Sequence, residues 1–239
     1  MHNPQEVERL RGLGIVARER IEDCAGGPTL IRTHGIGKQD IQRARQLGIE
    51  LIDTTCPHVK VPRRHIEEFG RQRRTVFLLG DAGHPEVQAM LSYQTGPVEV
   101  VSRPDDLPAL DAKTPVGIVA QTTQSKKTFD LLVEAARCKF SDVEAICTIC
   151  DDTARRQAEG VLLAGKVDLM VVIGGRNSAN TSRLAHICRA VQPRTFHIEC
   201  AAELGEVSFD KVSKIGITSG ASTPDWIFDE VENWLARVE

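Results

Sequence analysis

The stretch Asp53-Thr54-Thr55-Cys56-Pro57 decides the fold, because it joins a mostly apolar run at residues 49–52 to a helix-like segment at residues 59–69. This order predicts a strand that ends just before Cys56 and a helix that begins just after it. Ligands gather at that edge of an open α/β sheet, and a helix N-terminus favours an anion such as a thiolate. A lone cysteine at such a turn is more often a small buried residue. A functional role for Cys56 is supported only because polar residues stand at other predicted strand ends as well.

Apolar runs alternate with helical segments along the rest of the chain. The other runs predicted as strands are residues 14–16, 29–32, 75–79, 98–101, 116–120, 169–173, 195–198 and 214–218. Most of them are apolar nearly throughout, which is typical of strands covered on both faces. The alternation predicts parallel sheets with helical crossovers. Three strand–helix units of similar size predict three small α/β lobes.

The composition is that of an ordinary globular chain, with 41% of the 239 residues hydrophobic and 26% charged. Lys and Arg (30) nearly balance Asp and Glu (33), and only 4% of the residues are aromatic, which argues against a nucleic-acid surface. No apolar run approaches the roughly 20 residues that span a bilayer, and Met1-His2-Asn3-Pro4 leads into charged sequence without a signal peptide. We therefore expect a cytoplasmic protein whose seven cysteines are core residues or metal ligands.

Polar residues capable of chemistry collect at the predicted strand ends. They are Cys56, Cys150, His34, His84, Glu86, Thr122, Thr123, Ser178, Asn180 and Ser222. Hydroxyl, amide and imidazole donors, together with helix N-termini and glycine-rich turns, form a cradle for phosphate or diphosphate. Thiolates in a cytoplasmic protein indicate an iron–sulfur or zinc site. Glu86, two residues from His84, is a candidate proton donor.

Each of these residues also has an ordinary structural interpretation when it is taken alone. A single histidine is more often structural, and the glycine-rich segments could be simple turns and caps. Cys147 and Cys150 could be half of a zinc site or a redox pair. Zinc would need a second such pair, which Cys188 and Cys200 do not form, and no Trp or Pro flanks the first pair as in thioredoxins.

Seven stretches, taken in order, give a more specific interpretation. They are Arg32-Thr33-His34-Gly35, Asp53-Thr54-Thr55-Cys56-Pro57, Ala82-Gly83-His84-Pro85-Glu86, Gln121-Thr122-Thr123, Thr148-Ile149-Cys150-Asp151, Asn177-Ser178-Ala179-Asn180 and Ser219-Gly220-Ala221-Ser222-Thr223-Pro224-Asp225. With them the sequence resembles the 4-hydroxy-3-methylbut-2-enyl diphosphate reductase family, the iron–sulfur enzymes that end the non-mevalonate isoprenoid pathway. The match spans nearly the whole chain and keeps the family's order.

The resemblance implies a trefoil, in which three α/β lobes with parallel sheets surround a central site in a pseudo-threefold arrangement. The expected lobes are residues 1–56, residues 57–146, and residues 147–239 with the C-terminal helix. In the family, three cysteines hold a 4Fe-4S cluster and leave one iron open for the allylic oxygen of the substrate. Two electrons from a ferredoxin or flavodoxin, with protons, expel that oxygen as water and give isopentenyl and dimethylallyl diphosphate.

By motif, the resemblance makes Cys56 and Cys150 cluster ligands and Glu86 the proton source. Thr122 either relays protons to Glu86 or positions the substrate hydroxyl. The residues that it assigns to the diphosphate are His2, His34, His84, Ser178, Asn180 and Ser222. Cys147 lies outside the matched position and is expected to be structural.

Two departures from the family pattern shape the remaining expectations. Ala179 stands where the family often has a second serine, and a backbone N–H there could still face a phosphate. The family's first cluster cysteine belongs to a segment that precedes Met1, and none of Cys24, Cys138, Cys188 and Cys200 stands in an equivalent motif. We therefore expect lobe one to lack its first strand and helix, with a sheet edge or face uncovered.

The missing third ligand leaves alternatives to a complete reductase. One is a truncated, non-catalytic or partner-dependent homologue that binds diphosphate and takes its missing cysteine from a separate polypeptide. Another is a zinc-binding or phosphate-binding module without redox chemistry.

Overall fold

The computed structural model describes residues 3–24 and 26–237. The chain divides into two compact units: one is Arg18–Cys150, and the other combines the residues before Arg18 with those after Cys150. His2, to which the family resemblance assigns a role in diphosphate binding, lies outside the described residues. Within these ranges, no helix has the length and apolar character needed to cross a membrane.

Helices and strands alternate through both units. The α-helices are α1 Pro4–Gly12, α2 Lys38–Gln46, α3 Pro57–Arg71, α4 Pro85–Leu91, α5 Lys126–Lys139, α6 Asp151–Ala164, α7 Ala179–Val191 and α8 Asp225–Leu235. The strands are β1 Thr29–Ile31, β2 Leu51–Asp53, β3 Thr75–Leu79, β4 Val98–Val101, β5 Val116–Ala120, β6 Val143–Ala145, β7 Leu169–Ile173, β8 Thr195–Ile198 and β9 Ile215–Ser219.

The strands form three separate sheets, and every pairing in them is parallel. In the unit Arg18–Cys150, β1 pairs with β2, and a second sheet has the order β4-β3-β5-β6. The other unit holds the sheet β8-β7-β9. Parallel neighbours need a crossover connection, which explains the alternation of strands with helices. The predicted fold class, α/β with three parallel-sheet lobes, is confirmed.

The central strands are buried because their apolar side chains are covered on both faces. Every residue of β5 and β7 is buried, as is every residue of β3 after Thr75. On β5 this needs a glycine, since a Cβ at Gly117 would lie 2.4 Å from the Phe69 ring of α3. Phe69 belongs to a buried cluster with Ile66 and Met90, where each such side chain contributes about 1.5–3 kcal/mol of burial free energy.

The small sheet β1–β2 has an apolar face that is open to solvent. Leu30 and Ile52 are paired in register and therefore project from the same face. Their side chains are 50% and 42% exposed. This sheet therefore presents two apolar side chains to solvent.

Three local predictions need correction. Gly14-Ile15-Val16, predicted as a strand, is irregular, and Ile15 and Val16 are exposed. The helix after Cys56 begins at Pro57, two residues earlier than the predicted start at residue 59. Strand β6 went unpredicted because its sequence Val143-Glu144-Ala145 lacks a continuous apolar run, as suits the edge strand of a sheet.

Candidate active site

The carboxyl group of Glu86 is held by Thr122. Glu86 lies in α4 and is only 1% exposed. Its Oε1 accepts the backbone N–H of Thr122 at 2.8 Å, and its Oε2 accepts the Thr122 hydroxyl at 3.0 Å. Burial raises the pKa of Glu86, and the two bonds from Thr122 only partly oppose that rise. The site therefore contains a buried carboxyl group whose proton is retained to a higher pH than usual.

His84 caps the helix that carries Glu86. Its Nδ1 accepts the backbone N–H of Glu86 at 3.1 Å, so that nitrogen is the acceptor of a neutral ring and Nε2 carries the hydrogen. Burial lowers the pKa of His84, although the charge of Asp81 raises it. His84 is consequently a neutral donor through Nε2.

His34 lies beside His84 in the same unit. The two ring centroids are 5.5 Å apart, and the rings meet edge to face at 83°. His34 occupies a turn closed by the Gly35 N–H donating to the Arg32 carbonyl at 2.8 Å. Gly35 has a φ of +76°, a conformation that glycine adopts without strain. The turn thus brings together two of the histidines that the sequence assigned to the diphosphate.

Cys56 is the N-cap residue of α3 and is half-buried. Its backbone N–H donates to the Thr33 carbonyl at 3.0 Å, which ties the start of α3 to the turn that carries His34. Nearby, a hydrogen bond of 2.7 Å from Lys60 lowers the pKa of Asp53 to about 2. The thiol therefore lies at a strand-to-helix turn, as the sequence predicted.

Cys150 is anchored to the residue that holds Glu86. Its backbone N–H donates to the Thr122 carbonyl at 3.0 Å. Two residues earlier, the Thr148 hydroxyl accepts the Ala120 N–H at 2.9 Å and donates to the Ala120 carbonyl at 2.6 Å. Thr148 thereby continues the pairing along β5 beyond the end of β6. This role of Thr148 was not predictable from the local pattern, because its partner lies 28 residues away in the chain.

In the described part of the chain, the thiols do not belong to any group of three or more metal-ligating side chains. Across residues 3–24 and 26–237, no group of three or more His, Cys, Asp or Glu side chains is placed to hold a metal ion. Cys147 is exposed. Cys188 is buried among apolar side chains, and burial raises the pKa of its thiol to about 11, which disfavours a thiolate ligand.

The other unit presents hydrogen-bond donors at the end of its sheet. Ser178 is the N-cap of α7, and its Oγ accepts the Thr181 N–H at 3.4 Å and the Thr181 hydroxyl at 3.1 Å. Among the described residues, the buried atoms Nδ2 of Asn180 and Oγ of Ser222 have no hydrogen-bond partner. Buried polar atoms are rarely left unpaired, so these two are candidates for ligand contacts.

Two glutamate side chains hold the loop that precedes Ser178 through hydrogen bonds and an ion pair. The Glu199 carboxylate accepts the backbone N–H of Arg176 at 2.7 Å, and the Arg176 guanidinium pairs with Glu203. Glu203 in turn accepts the Glu199 N–H at 2.7 Å. Sequence reasoning missed this network, because neither glutamate belongs to a recognised motif.

The predicted site residues are divided between the two compact units. One unit holds His34, His84, Glu86, Thr122, Cys56 and Cys150, and the other holds Ser178, Asn180 and Ser222. Thr123, a further strand-end candidate, has a buried hydroxyl without a partner among the described residues. The functional role of each residue stays a prediction.

The comparisons with known proteins agree on one family. A family model described as LytB protein matches residues 1–236. A protein of Geobacter sulfurreducens named 4-hydroxy-3-methylbut-2-enyl diphosphate reductase is 45% identical over 231 residues, covering 97% of this chain and 82% of the relative. A protein of the same name from Geotalea uraniireducens is 42% identical over 238 residues, covering 100% of this chain and 84% of the relative.

Two solved structures are similar over the whole chain. One is a structure of (E)-4-hydroxy-3-methyl-but-2-enyl diphosphate reductase, titled as the terminal enzyme of the non-mevalonate pathway. It is 39% identical, has a TM-score of 0.70, and the match covers 100% of this chain and 86% of that one. The other is a structure of the E-1-hydroxy-2-methyl-but-2-enyl-4-diphosphate reductase from Plasmodium falciparum. It is 26% identical, has a TM-score of 0.92, and the match covers 99% of this chain and 76% of that one.

Proposed function

Because the chain belongs to the LytB protein family, we propose that it acts as a 4-hydroxy-3-methylbut-2-enyl diphosphate reductase, an iron–sulfur oxidoreductase at the end of the non-mevalonate pathway. The reaction removes the allylic hydroxyl of the substrate as water and yields isopentenyl and dimethylallyl diphosphate. It consumes two electrons and two protons. One proton leaves in the water, and the other is added to an allylic carbon.

The buried pair of Glu86 and Thr122 is the observation that carries this proposal. A carboxyl group whose pKa is raised by burial keeps a transferable proton closer to neutral pH. When protonated, Glu86 can donate from Oε2 to the Thr122 hydroxyl, and that hydroxyl can pass its own hydrogen to the leaving oxygen. The Thr122 N–H on Oε1 keeps the carboxyl oriented in both protonation states.

Ser178, Asn180 and Ser222 are assigned to the diphosphate. The support is that Asn180 Nδ2 and Ser222 Oγ are buried donors without partners in the described part of the chain. Ser178 caps α7, whose N-terminal end favours a negative charge. The same role for His2, His34 and His84 is proposed from the family motifs, and His84 would donate through Nε2.

An iron–sulfur cluster is implied by the family, and Cys56 and Cys150 are its proposed ligands. When bound, a 4Fe-4S cluster would deliver the electrons that a ferredoxin or flavodoxin supplies. The donor set does not complete such a cluster, since the described residues include no group of three metal-ligating side chains and the family motif needs three cysteines. The proposed proton path from Glu86 through Thr122 uses only side chains of this protein.

The proposal is tested with anaerobically prepared protein supplied with iron, sulfide and a one-electron chemical reductant. Bound iron and sulfide are measured first, and conversion of 4-hydroxy-3-methylbut-2-enyl diphosphate is then followed by chromatography of the products. Formation of isopentenyl and dimethylallyl diphosphate supports the reductase. Iron-loaded protein that binds the substrate and forms neither product contradicts it.

A second candidate function is diphosphate binding without redox chemistry. It is favoured by the contrast between the two kinds of site: buried donors are present at the N-terminal end of α7, whereas no three-residue metal group is found among the described residues. Iron near zero after reconstitution, together with tight binding of the substrate, would favour this second function. Zinc in place of iron would favour the metal-binding variant of it.

A further inference from the structure

Thr181 lies where the two loops that carry the proposed diphosphate ligands meet. Its side chain is fully buried. A Cβ at Gly220 would lie 1.9 Å from Thr181 Oγ1, and a Cβ at Gly174 would lie 3.0 Å from the same atom. The loop after β7 and the loop after β9 therefore both contact this hydroxyl, and only glycine leaves room for it on each side.

The bonds from Thr181 also restrict the orientation of the Ser178 hydroxyl hydrogen. Ser178 Oγ accepts the Thr181 N–H at 3.4 Å and the Thr181 hydroxyl at 3.1 Å. A serine hydroxyl has two acceptor lone pairs and one hydrogen. Because Thr181 occupies both lone pairs, the hydrogen of Ser178 is left for a different acceptor.

The loop after β9, which carries Ser222, is anchored to the end of β7. The Ile173 carbonyl accepts the Gly220 N–H at 3.0 Å and the Thr223 hydroxyl at 2.9 Å. Ser222 lies between these two anchored residues. The contact between Thr181 and Gly220 thus sets the spacing of the Ser222 segment from the N-terminal end of α7.

We propose that Thr181 is a positioning residue for diphosphate binding. It makes Ser178 an obligatory donor to the anion and holds the Ser222 loop at the spacing that the anion needs. This inference rests on the proposed function for the identity of the ligand, and it adds a residue that the family motifs left without a role. Being fully buried, Thr181 acts through Ser178 and Gly220.

The test is isothermal titration calorimetry of the full chain with inorganic diphosphate. Thr181→Val keeps the shape but removes the donor hydroxyl and places a larger methyl group against Gly220. Thr181→Ala removes the hydroxyl without adding bulk, so it covers the case in which the valine variant does not fold. We expect diphosphate to bind roughly tenfold more weakly to either variant, a factor that corresponds to about 1.4 kcal/mol. Thr181→Ser retains the hydroxyl and is expected to bind within about twofold of the wild type, a difference of about 0.4 kcal/mol.

Thr195→Val is the matched control. Thr195 is a buried threonine of the same unit, at the start of β8, and its hydroxyl donates to the Gln192 carbonyl at the opposite end of the strands. We expect this variant to lose stability and to keep its affinity for diphosphate. A loss of affinity equal to that of Thr181→Val would show that any buried threonine has the same effect, and would overturn the inference.

Other outcomes separate this inference from the proposed function. If the wild type binds diphosphate and folded Thr181→Ala binds it equally well, Thr181 has no positioning role and the proposed function is unaffected. If Thr181→Ser binds as weakly as Thr181→Ala, the hydroxyl is not the cause and the inference fails. If the wild type itself does not bind diphosphate, the proposed function fails and the inference fails with it.

Discussion

The backbone N–H of Cys150 donates to the carbonyl oxygen of Thr122 at 3.0 Å. Thr122 uses its other two polar groups, the N–H and the hydroxyl, to hold the carboxyl of Glu86. A single residue therefore fixes both the proposed proton donor and one proposed cluster ligand. A change at Thr122 would disturb both together, so the clearest tests of the site act on its neighbours.

Glu86→Gln is expected to slow turnover strongly while diphosphate binding persists. Glutamine has the same shape, and its amide can still accept the Thr122 N–H, but it cannot supply a proton. Because general acid catalysis contributes roughly 10²–10⁴-fold, the steady-state rate should fall by about that factor, with the titration of inorganic diphosphate unchanged. Glu99→Gln, an exposed glutamate of β4, is the control and should leave the rate as it was. Wild-type turnover by Glu86→Gln would contradict the role of Glu86.

The stability of the protein should depend on pH through Glu86. Its pKa in the folded protein lies above the ordinary value of 4.5 because of burial, so the folded state binds the proton more tightly than the unfolded state. The contribution of Glu86 to the free energy of unfolding is then fully present below pH 4.5 and is lost as the pH rises through the folded-state pKa.

Urea denaturation of the wild type and of Glu86→Gln at a series of pH values measures this dependence. Because glutamine does not titrate, the wild type should lose stability relative to the variant as the pH rises, and the difference should level off above the folded-state pKa. Subtracting the free energy of unfolding of the variant from that of the wild type at each pH removes the contributions of other titrating groups. One such group is Asp53, whose pKa is lowered, so its contribution to stability rises with pH instead of falling. A difference that stays constant with pH would contradict a raised pKa for Glu86.

His84 has a structural role and a proposed binding role that two substitutions can separate. His84→Ala removes the acceptor for the Glu86 N–H at the start of α4 and should lower the free energy of unfolding by about 1 kcal/mol. His84→Asn supplies a new capping oxygen and should restore most of that stability. Both variants lack the Nε2 donor, so both should bind diphosphate more weakly. If His84→Asn recovers affinity together with stability, the imidazole does not contact the anion.

Gly117→Ala tests the packing of α3 on the sheet. The added Cβ would lie 2.4 Å from the ring of Phe69, which is itself buried, so the ring or the helix must shift. Overpacking of this kind typically costs about 1–3 kcal/mol of unfolding free energy, measured by urea denaturation. Gly205→Ala is the control, because no atom lies within 4 Å of a Cβ at that position. Equal stability of the two variants would contradict the close contact.

The long apolar strands could be predicted from the sequence because their pattern is local. The runs at residues 75–79, 116–120 and 169–173 each became a central buried strand. Gly14-Ile15-Val16 has a similar but shorter pattern, and it is irregular, with Ile15 and Val16 exposed. A short apolar run predicts a strand only where a neighbouring strand and a covering helix are available.

The motif residues of the proposed site could be predicted from the sequence, but the residues that support them could not. Motif order linked Glu86 with Thr122, and the structure brings them within hydrogen-bonding distance. The supporting roles of Thr148 and Thr181 were not predicted, because threonine is common and their contacts with Ala120 and Gly220 join distant parts of the chain. Contacts of this kind follow from the fold, which the local pattern alone does not define.

The open face of β1–β2 has a consequence for how the protein behaves in concentrated solution. Leu30 and Ile52 expose apolar surface to water. Within the described ranges, each of the two strands has a neighbouring strand on one side only. Unpaired strand edges beside exposed apolar side chains act as templates for other chains. We therefore expect the smallest sheet to be one place where the protein associates with itself in concentrated solution.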